Sequence, residues 1–284
     1  MKLRVGTRGS KLALLQAQRI IKKLKSIAPE FQEEIKTIKT SGDLRRKRAQ
    51  PGMFVNEINQ AVLSGEVDIG VHSLKDLPTT LPEGLMLACV PERLAPNDVL
   101  VSRDGSRLQD LPPSSNIGTS SPRRRAEILH LRPDLRILDL RGNLTTRLRK
   151  IEDELYDAII VARAALERLN LLQKIAQEFK FEEIVPAAGQ GAIGVICREE
   201  DSYDFLKQIN DWPAWNEVIC ERAFLHELEL EYRASAGAVA RNLGDGVELT
   251  AVIHVRGRRL LKLKGKNPEE VGVQAARILS SEAI

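Results

Sequence analysis

Cysteine is scarce: the 284 residues hold three, Cys89, Cys197 and Cys220. They are odd in number and widely spaced, which excludes a disulfide framework and offers no metal-ligand spacing. Aromatic residues make up only 4% of the chain. The longest basic run, Arg45-Arg46-Lys47-Arg48, has none interleaved, so a platform for stacked bases is missing. No apolar run approaches the ~20 residues that span a bilayer, and the opening MKLRVGTRGS has no apolar signal core. These absences predict a soluble cytoplasmic protein with no metal, no nucleic-acid partner and no membrane; a monomer is expected, though no absence implies it.

What is present is enough apolar material, 43% of residues, for two or three domains, with a mild formal charge of +4. The most informative stretch is Asn116 to Leu129, NIGTSSPRRRAEIL. It reads as a strand turning into a helix, with Ser121 as N-cap and Pro122 at the first helical position. The helix then opens with Arg123, Arg124 and Arg125. A helix N-terminus already carries roughly half a positive charge, so three arginines there have the wrong sign for stability. Together with the hydroxyls of Thr119, Ser120 and Ser121 they have the right sign for a carboxylate or phosphate. A solvated basic helix is the plainer explanation of an arginine run, but the strand–Ser/Thr–helix context favours an anion site.

The same geometry recurs. Leu3–Thr7 reads as a strand, and Ser10 caps a helix to about Ala28 with Leu14, Ala17, Ile21 and Leu24 as its apolar stripe, so Arg8 stands at a strand–helix turn. The strand Val67–His72 runs into Ser73-Leu74-Lys75-Asp76, polar groups at a strand's C-terminal end, where open α/β sheets bind ligands. A surface ion pair in a turn explains Lys75 and Asp76 equally well. Arg141 precedes a helix carrying Arg147, another helix carries Arg168, and Gln190 sits in a small-residue turn before the strand Ile193–Cys197. The alternation of strands and helices predicts parallel sheets covered on both faces. Cations at successive strand ends would line one cleft suited to a polyanion. After these, a helix Trp215–Glu231, a hairpin over Arg256-Gly257 and a helix capped by Asn267 read as a small α+β domain.

Six segments in order, GTRGSKLALLQA, VDIGVHSLKDLPT, GTSSPRRRAEIL, LRGNLTTRL, YDAIIVARAALERL and PAAGQGAIGVICR, resemble the porphobilinogen deaminase (hydroxymethylbilane synthase) family over nearly the whole chain. The resemblance implies an α/β fold of two domains like type II periplasmic binding proteins around a cleft, plus a small α+β C-terminal domain. In this sequence these would be 1–92 with 190–212, 93–189, and 213–284. It implies a transferase that condenses four porphobilinogens head to tail into hydroxymethylbilane, releasing ammonia, in tetrapyrrole and heme biosynthesis. Its partners would be porphobilinogen and the growing linear oligopyrrole, and its cofactor dipyrromethane. By resemblance Asp76 is catalytic. Arg8, Ser10, Thr119, Ser121, Arg123, Arg124, Arg141, Arg147 and Arg168 hold carboxylates, with Lys75 and Gln190 beside them; Ser73 and Ser120 complete the binding set.

The family carries its primer as a thioether on a cysteine in a Gly-Gly-Cys loop after the long helix. Here Tyr232 stands at that position, without the glycines. A phenol titrates near 10 and a thiol near 8.5, so the phenol is the weaker nucleophile at neutrality and covalent attachment is not expected. Pro51 likewise replaces a glycine-rich turn with a lysine in the basic loop 44–52. The alternative function is a non-catalytic relative that binds a pyrrole-derived or other polycarboxylate.

Overall fold

The computed structural model describes residues 2–44, 53–201, 203–228 and 230–281. The basic run Arg45–Arg48 and the Pro51-Gly52 turn lie outside the described residues. In chain order the elements are β1 (Lys2–Arg8), α1 (Lys11–Ile27), β2 (Gln32–Ile38), α2 (Ser41–Leu44), α3 (Asn56–Leu63), β3 (Ile69–Ser73) and β4 (Leu85–Arg93). There follow β5 (Asp98–Ser102), β6 (Asn116–Gly118), α4 (Pro122–Leu131), β7 (Arg136–Leu138), α5 (Leu144–Glu152), β8 (Ala158–Ala162), α6 (Arg163–Arg168) and β9 (Gln177–Glu178). The chain then forms β10 (Ala192–Arg198), α7 (Asp204–Gln208), α8 (Trp212–Glu227), α9 (Leu230–Arg233), β11 (Gly237–Asn242), β12 (Val247–His254), β13 (Arg258–Gly265) and α10 (Pro268–Ser281).

Two compact units result, one of residues 1–94 and 192–215, the other of 95–191 and 216–284. In the first, a five-stranded sheet runs β2-β1-β3-β10-β4. Strands β2, β1 and β3 are parallel, whereas β10 lies antiparallel between β3 and β4. The expected all-parallel sheet is therefore mixed, because β10 returns after the intervening stretch 95–191 rather than through a single helical crossover. Leu3, Val5, Ile69, Val71, Ile193 and Val195 form its core with Ala17, Ile20, Ile21 and Leu24 of α1. The buried face of α1 is Ala13, Gln16, Ala17, Ile20, Ile21 and Leu24, so the expected stripe is shifted off Leu14 onto Ala13 and Gln16.

The second unit repeats the plan, with order β7-β6-β8-β5-β9. Here β7, β6 and β8 are parallel and β5 is antiparallel to β8 and β9. Both faces are covered: Leu100, Ala158 and Ile160 join one cluster, while Val99, Val101, Ile159 and Val161 join the other. That is the period of two that a doubly covered sheet imposes. The same unit holds a three-stranded antiparallel sheet, β11-β12-β13. Its Ala238, Leu249, Ala251 and Ile253 pack with Cys220 and Phe224 of α8 and with Ala275 and Leu279 of α10. The hairpin connection is the three residues Val255, Arg256 and Gly257 between the paired His254 and Arg258, and Arg256 and Gly257 both take positive φ (50° and 126°) to turn the chain. Strand β11 is not among the sequence expectations: GAVARN opens on Gly237 but is short and rich in alanine, which carries little strand signal. The single long helix expected over Trp215–Glu231 is instead two, α8 and α9.

Candidate active site

In the first unit the candidate residues surround a cavity of about 120 Å³, lined by Arg8, Ser10, Gln16, Phe54, His72, Ser73, Lys75 and Asp76, with Leu12, Ala13, Val55 and Val71 as its apolar wall. Strand β1 ends at Arg8, and Ser10 caps α1 by accepting from the Ala13 amide at 3.3 Å. Strand β3 ends at Ser73 and coils into one 3₁₀ turn over Leu74–Asp76, closed by the Leu77 amide donating to the Leu74 carbonyl at 3.0 Å. Leu74 is the anchor of that turn. It is 1% exposed and packs so close to Gly194 that a Cβ there would lie 2.6 Å from its Cδ1. With Leu74 directed inward, Lys75 and Asp76 are left exposed.

Gln16 and Phe54 were missed as site residues. Gln16 is 2% exposed and donates to Ser73 Oγ at 3.0 Å. Its signal was legible: it falls one helical turn before Ile20 and two before Leu24, on the apolar stripe. The Arg8 guanidinium lies over the Phe54 ring, 4.3 Å from its centroid, a cation–π contact. His72 is buried; burial first, and the nearby Arg8 charge second, push its pKa down to about 3. It is therefore neutral at pH 7 and adds no charge to the cavity.

In the second unit, the sequence expectation of a capped helix holds: Ser121 Oγ accepts from the Arg124 amide at 3.3 Å and Pro122 opens α4. The fate of the arginines differs from the expectation. Arg123 and Arg124 are 3% and 6% exposed, and both point to one internal anion, Asp98 at the start of β5. Arg123 Nη2 donates to Asp98 Oδ2 at 2.7 Å and Arg124 Nη2 to Oδ1 at 2.7 Å. Arg123 also donates to the Val185 carbonyl, and Arg124 to that of Ile160. Gln190 joins them, its Nε2 donating to Asp98 Oδ1 at 2.9 Å and to the Pro96 carbonyl at 2.7 Å. Burial alone would raise the Asp98 carboxyl; the charges of Arg123 and Arg124, with the bonds from Arg124 and Gln190, outweigh it and hold the group well below the usual carboxylate range. Thus the anion called for by the sequence is in part the protein's own. One carboxylate faces two guanidinia, which leaves a positive charge in excess at the N-terminus of α4.

The remaining candidates lie nearer the surface or bind backbone. Thr119 Oγ1 accepts from the Ser121 amide at 3.2 Å, and Ser120 Oγ donates to the Leu140 carbonyl at 2.9 Å. Arg141 and Arg147 are half-buried; Arg147 Nε donates to the Gly142 carbonyl at 2.7 Å, beside the Asn143 cap of α5. Arg168 is buried at the end of α6 and donates to the Gly191 carbonyl at 2.7 Å. The helices α1, α4, α5 and α6 each begin without an acidic residue in the first turn. In contrast, α3, α7 and α10 carry one or two. Helix α8, which bears no candidate residue, also begins without one, so the feature is shared by the candidate-bearing helices but does not single them out.

Tyr232 lies half-buried in α9. Cys89 and Cys197 sit in the core of the first unit and Cys220 in α8, each 0% exposed. Burial raises all three thiols, that of Cys220 to about 12. Among the described residues, no group of three or more His, Cys, Asp or Glu is arranged to hold a metal ion. No described helix is long and apolar enough to cross a membrane.

Residues 3–204 match the family model described as porphobilinogen deaminase, dipyromethane cofactor binding domain. A porphobilinogen deaminase of Brevibacillus brevis is 42% identical over 293 residues, covering 99% of this chain and 94% of that protein. One of Bacillus cereus is 43% identical over 287 residues, covering 97% and 93%. Among solved structures, the methionine binding protein MetQ is similar at a TM-score of 0.47 and 12% identity, covering 76% of this chain and 90% of that one.

Proposed function

This chain belongs to the porphobilinogen deaminase family, and we propose that Asp76 is its catalytic group and that the strand-end cations of its two units hold the substrate's carboxylates. The activity is that of a transferase of tetrapyrrole biosynthesis: four porphobilinogens are joined head to tail into hydroxymethylbilane with release of ammonia. Each porphobilinogen carries an acetate and a propionate, so the growing chain gains negative charge at every step.

The observation that carries the assignment is the turn Leu74–Asp76, which sets Lys75 and Asp76 at the mouth of a cavity shared with Arg8 and Ser10. Loss of ammonia from porphobilinogen leaves a cationic azafulvene, and coupling to the next pyrrole passes through further positive charge. A carboxylate fixed beside the pyrrole N–H groups stabilises that charge as it develops. Arg8 and Lys75 supply charge for the ring's carboxylates, while Gln16 and Ser73, bonded to each other, fix the wall. At about 120 Å³ the cavity is below the ~300 Å³ at which ligand pockets begin. It suits one ring or its carboxylates, not the four-ring product.

In the second unit Arg141 and Arg147, the hydroxyls of Thr119, Ser120 and Ser121, and the uncompensated charge of the Arg123–Arg124–Asp98 cluster would receive further carboxylates. Gln190 braces that cluster through Arg124 and Asp98, and Arg168 holds the neighbouring Gly191 carbonyl. The division of this unit into domains at 93–189 and 213–284 is part of the same proposal. It is supported by the separate cores of the five-stranded and three-stranded sheets.

The test is Asp76→Asn. The variant should keep binding porphobilinogen while turnover falls by at least ~10²-fold, the scale of losing one electrostatic stabiliser. Unchanged turnover would remove Asp76 from the mechanism.

A further inference from the structure

The family's primer is a dipyrromethane, and the residues present fit one half of its chemistry and not the other. Its two rings bear four carboxylates, which suit the cations at the strand ends. A thioether is another matter. It forms when a thiolate sulfur attacks the exocyclic methylene, the new S–C bond replacing the C–N bond as ammonia leaves with the electron pair. That step needs a sulfur that reaches solvent and a usable thiolate fraction.

The chain has three sulfurs of that kind in all, and none qualifies. Cys89 and Cys197 lie inside the core of the first sheet, and Cys220 is packed between α8 and the C-terminal sheet, each 0% exposed. A Cβ at Gly272 would sit 2.2 Å from the Cys220 carbonyl oxygen, a measure of how closely α10 covers that part of α8. Burial also raises each thiol, so the thiolate is suppressed as well as hidden. At the family's attachment position stands Tyr232, in the helical turn Leu230–Arg233. Arg233 pins that turn, donating to the Leu228 carbonyl at 2.8 Å and the His226 carbonyl at 2.6 Å. A phenol with an ordinary pKa near 10 is about 0.1% ionised at pH 7.

We infer that this chain holds its dipyrromethane as an exchangeable ligand, gripped through its carboxylates and joined to no side chain. The inference rests on the family activity proposed above and deepens it. The ligand is a tetra-anion in a cationic site, so its retention depends on charge and weakens with salt.

The experiment uses the full-length protein and porphobilinogen. After incubation and native desalting, half of the sample is denatured, both halves are ultrafiltered, and pyrrole is read with Ehrlich's reagent alongside intact mass and porphobilinogen consumption. Expected are consumption of porphobilinogen, an unmodified mass of 31.7 kDa, and at least a tenfold loss of protein-associated colour on denaturation. Consumption with an added dipyrromethane mass, and colour that stays with the denatured chain, would overturn the inference and leave the activity standing. Peptide mapping would then locate the bond at Tyr232 or a cysteine. No consumption and no pyrrole in either half would overturn both.

Discussion

At the end of β3 the charged side chains stand in solvent; at the start of α4 Arg123 and Arg124 are buried to within a few per cent, and only Arg125 of that run is exposed. In the sequence both places look alike, a strand followed by serine and then by cations. What separates them is which neighbour takes the inward direction. After β3, Leu74 enters the core and forces Lys75 and Asp76 out. In α4 the inward face is Arg123, Arg124, Glu127 and Ile128, two pairs spaced four apart, so the arginines share the stripe that packs against the sheet. The same charge is left at the surface in one unit and mostly spent on Asp98 in the other. Net charge and motif locate an anion site. The apolar register decides whether the anion comes from outside.

The sharpest way to break this comparison is one chemical change made in both places. Asp98→Asn leaves two buried guanidinia without their carboxylate and should destabilise the protein by ~3–5 kcal/mol, the usual loss for a buried ion pair deprived of one partner. Urea denaturation reads it, and a midpoint unchanged from wild type would show that the cluster contributes nothing to stability.

Acid should erase that difference. Asp98 and Glu127 are both held below their ordinary values. Burial would raise each, but Arg123 and Arg124 for Asp98, and His254, Arg258 and the Val185 amide for Glu127, outweigh it. Groups depressed in the folded state contribute stability that is fully present above the ordinary carboxylate pKa near 4 and is lost as pH falls through the folded value. The gap between wild type and Asp98→Asn should therefore narrow below about pH 4. A gap constant from pH 7 to 3 would contradict the ionic account.

A shape-based defect in the same unit supplies the control. Gly272→Ala places a Cβ 2.2 Å from the Cys220 carbonyl oxygen and 2.8 Å from the Phe224 amide nitrogen, where only backbone movement relieves the clash. A loss of ~1–3 kcal/mol, the same at every pH, is expected, and wild-type stability would mean that α8 and α10 separate easily. The smallest effect belongs to the first unit. Asp76→Asn, exposed and outside any core, should leave the denaturation midpoint within ~0.5 kcal/mol of wild type even as turnover collapses.

Much of the fold was legible. The caps Ser10, Ser121, Asn143 and Asn267 belong to residue types that favour that role, and the hairpin at Arg256-Gly257 follows its turn chemistry. The mixed direction of both sheets was not, since strand alternation carries no sign of direction: β10 returns to the first sheet after the whole stretch 95–191, and β5 waits for partners, β8 and β9, that come later in the chain. In the site, Asp98 went unseen because an acid at the head of an apolar strand reads as a surface residue until its partners, 25 and 26 positions away, are brought to it. Gln16 falls on the helical spacing of the α1 stripe, but its polar side chain sets it apart from the apolar residues that define such a stripe.

The late return of β10 has a consequence for synthesis. Within the sheet, β4 pairs only with β10, so when Leu85–Arg93 leaves the ribosome its neighbour does not yet exist. The entire stretch 95–191, with a sheet of its own, must emerge first. At ~5–20 residues per second this leaves β3 and β4 with unpaired edges for on the order of ten seconds, long compared with the folding of the second unit's local elements. The first sheet to begin is thus among the last to close, and its exposed strands are the place where a nascent-chain chaperone or a slow stretch of codons would act.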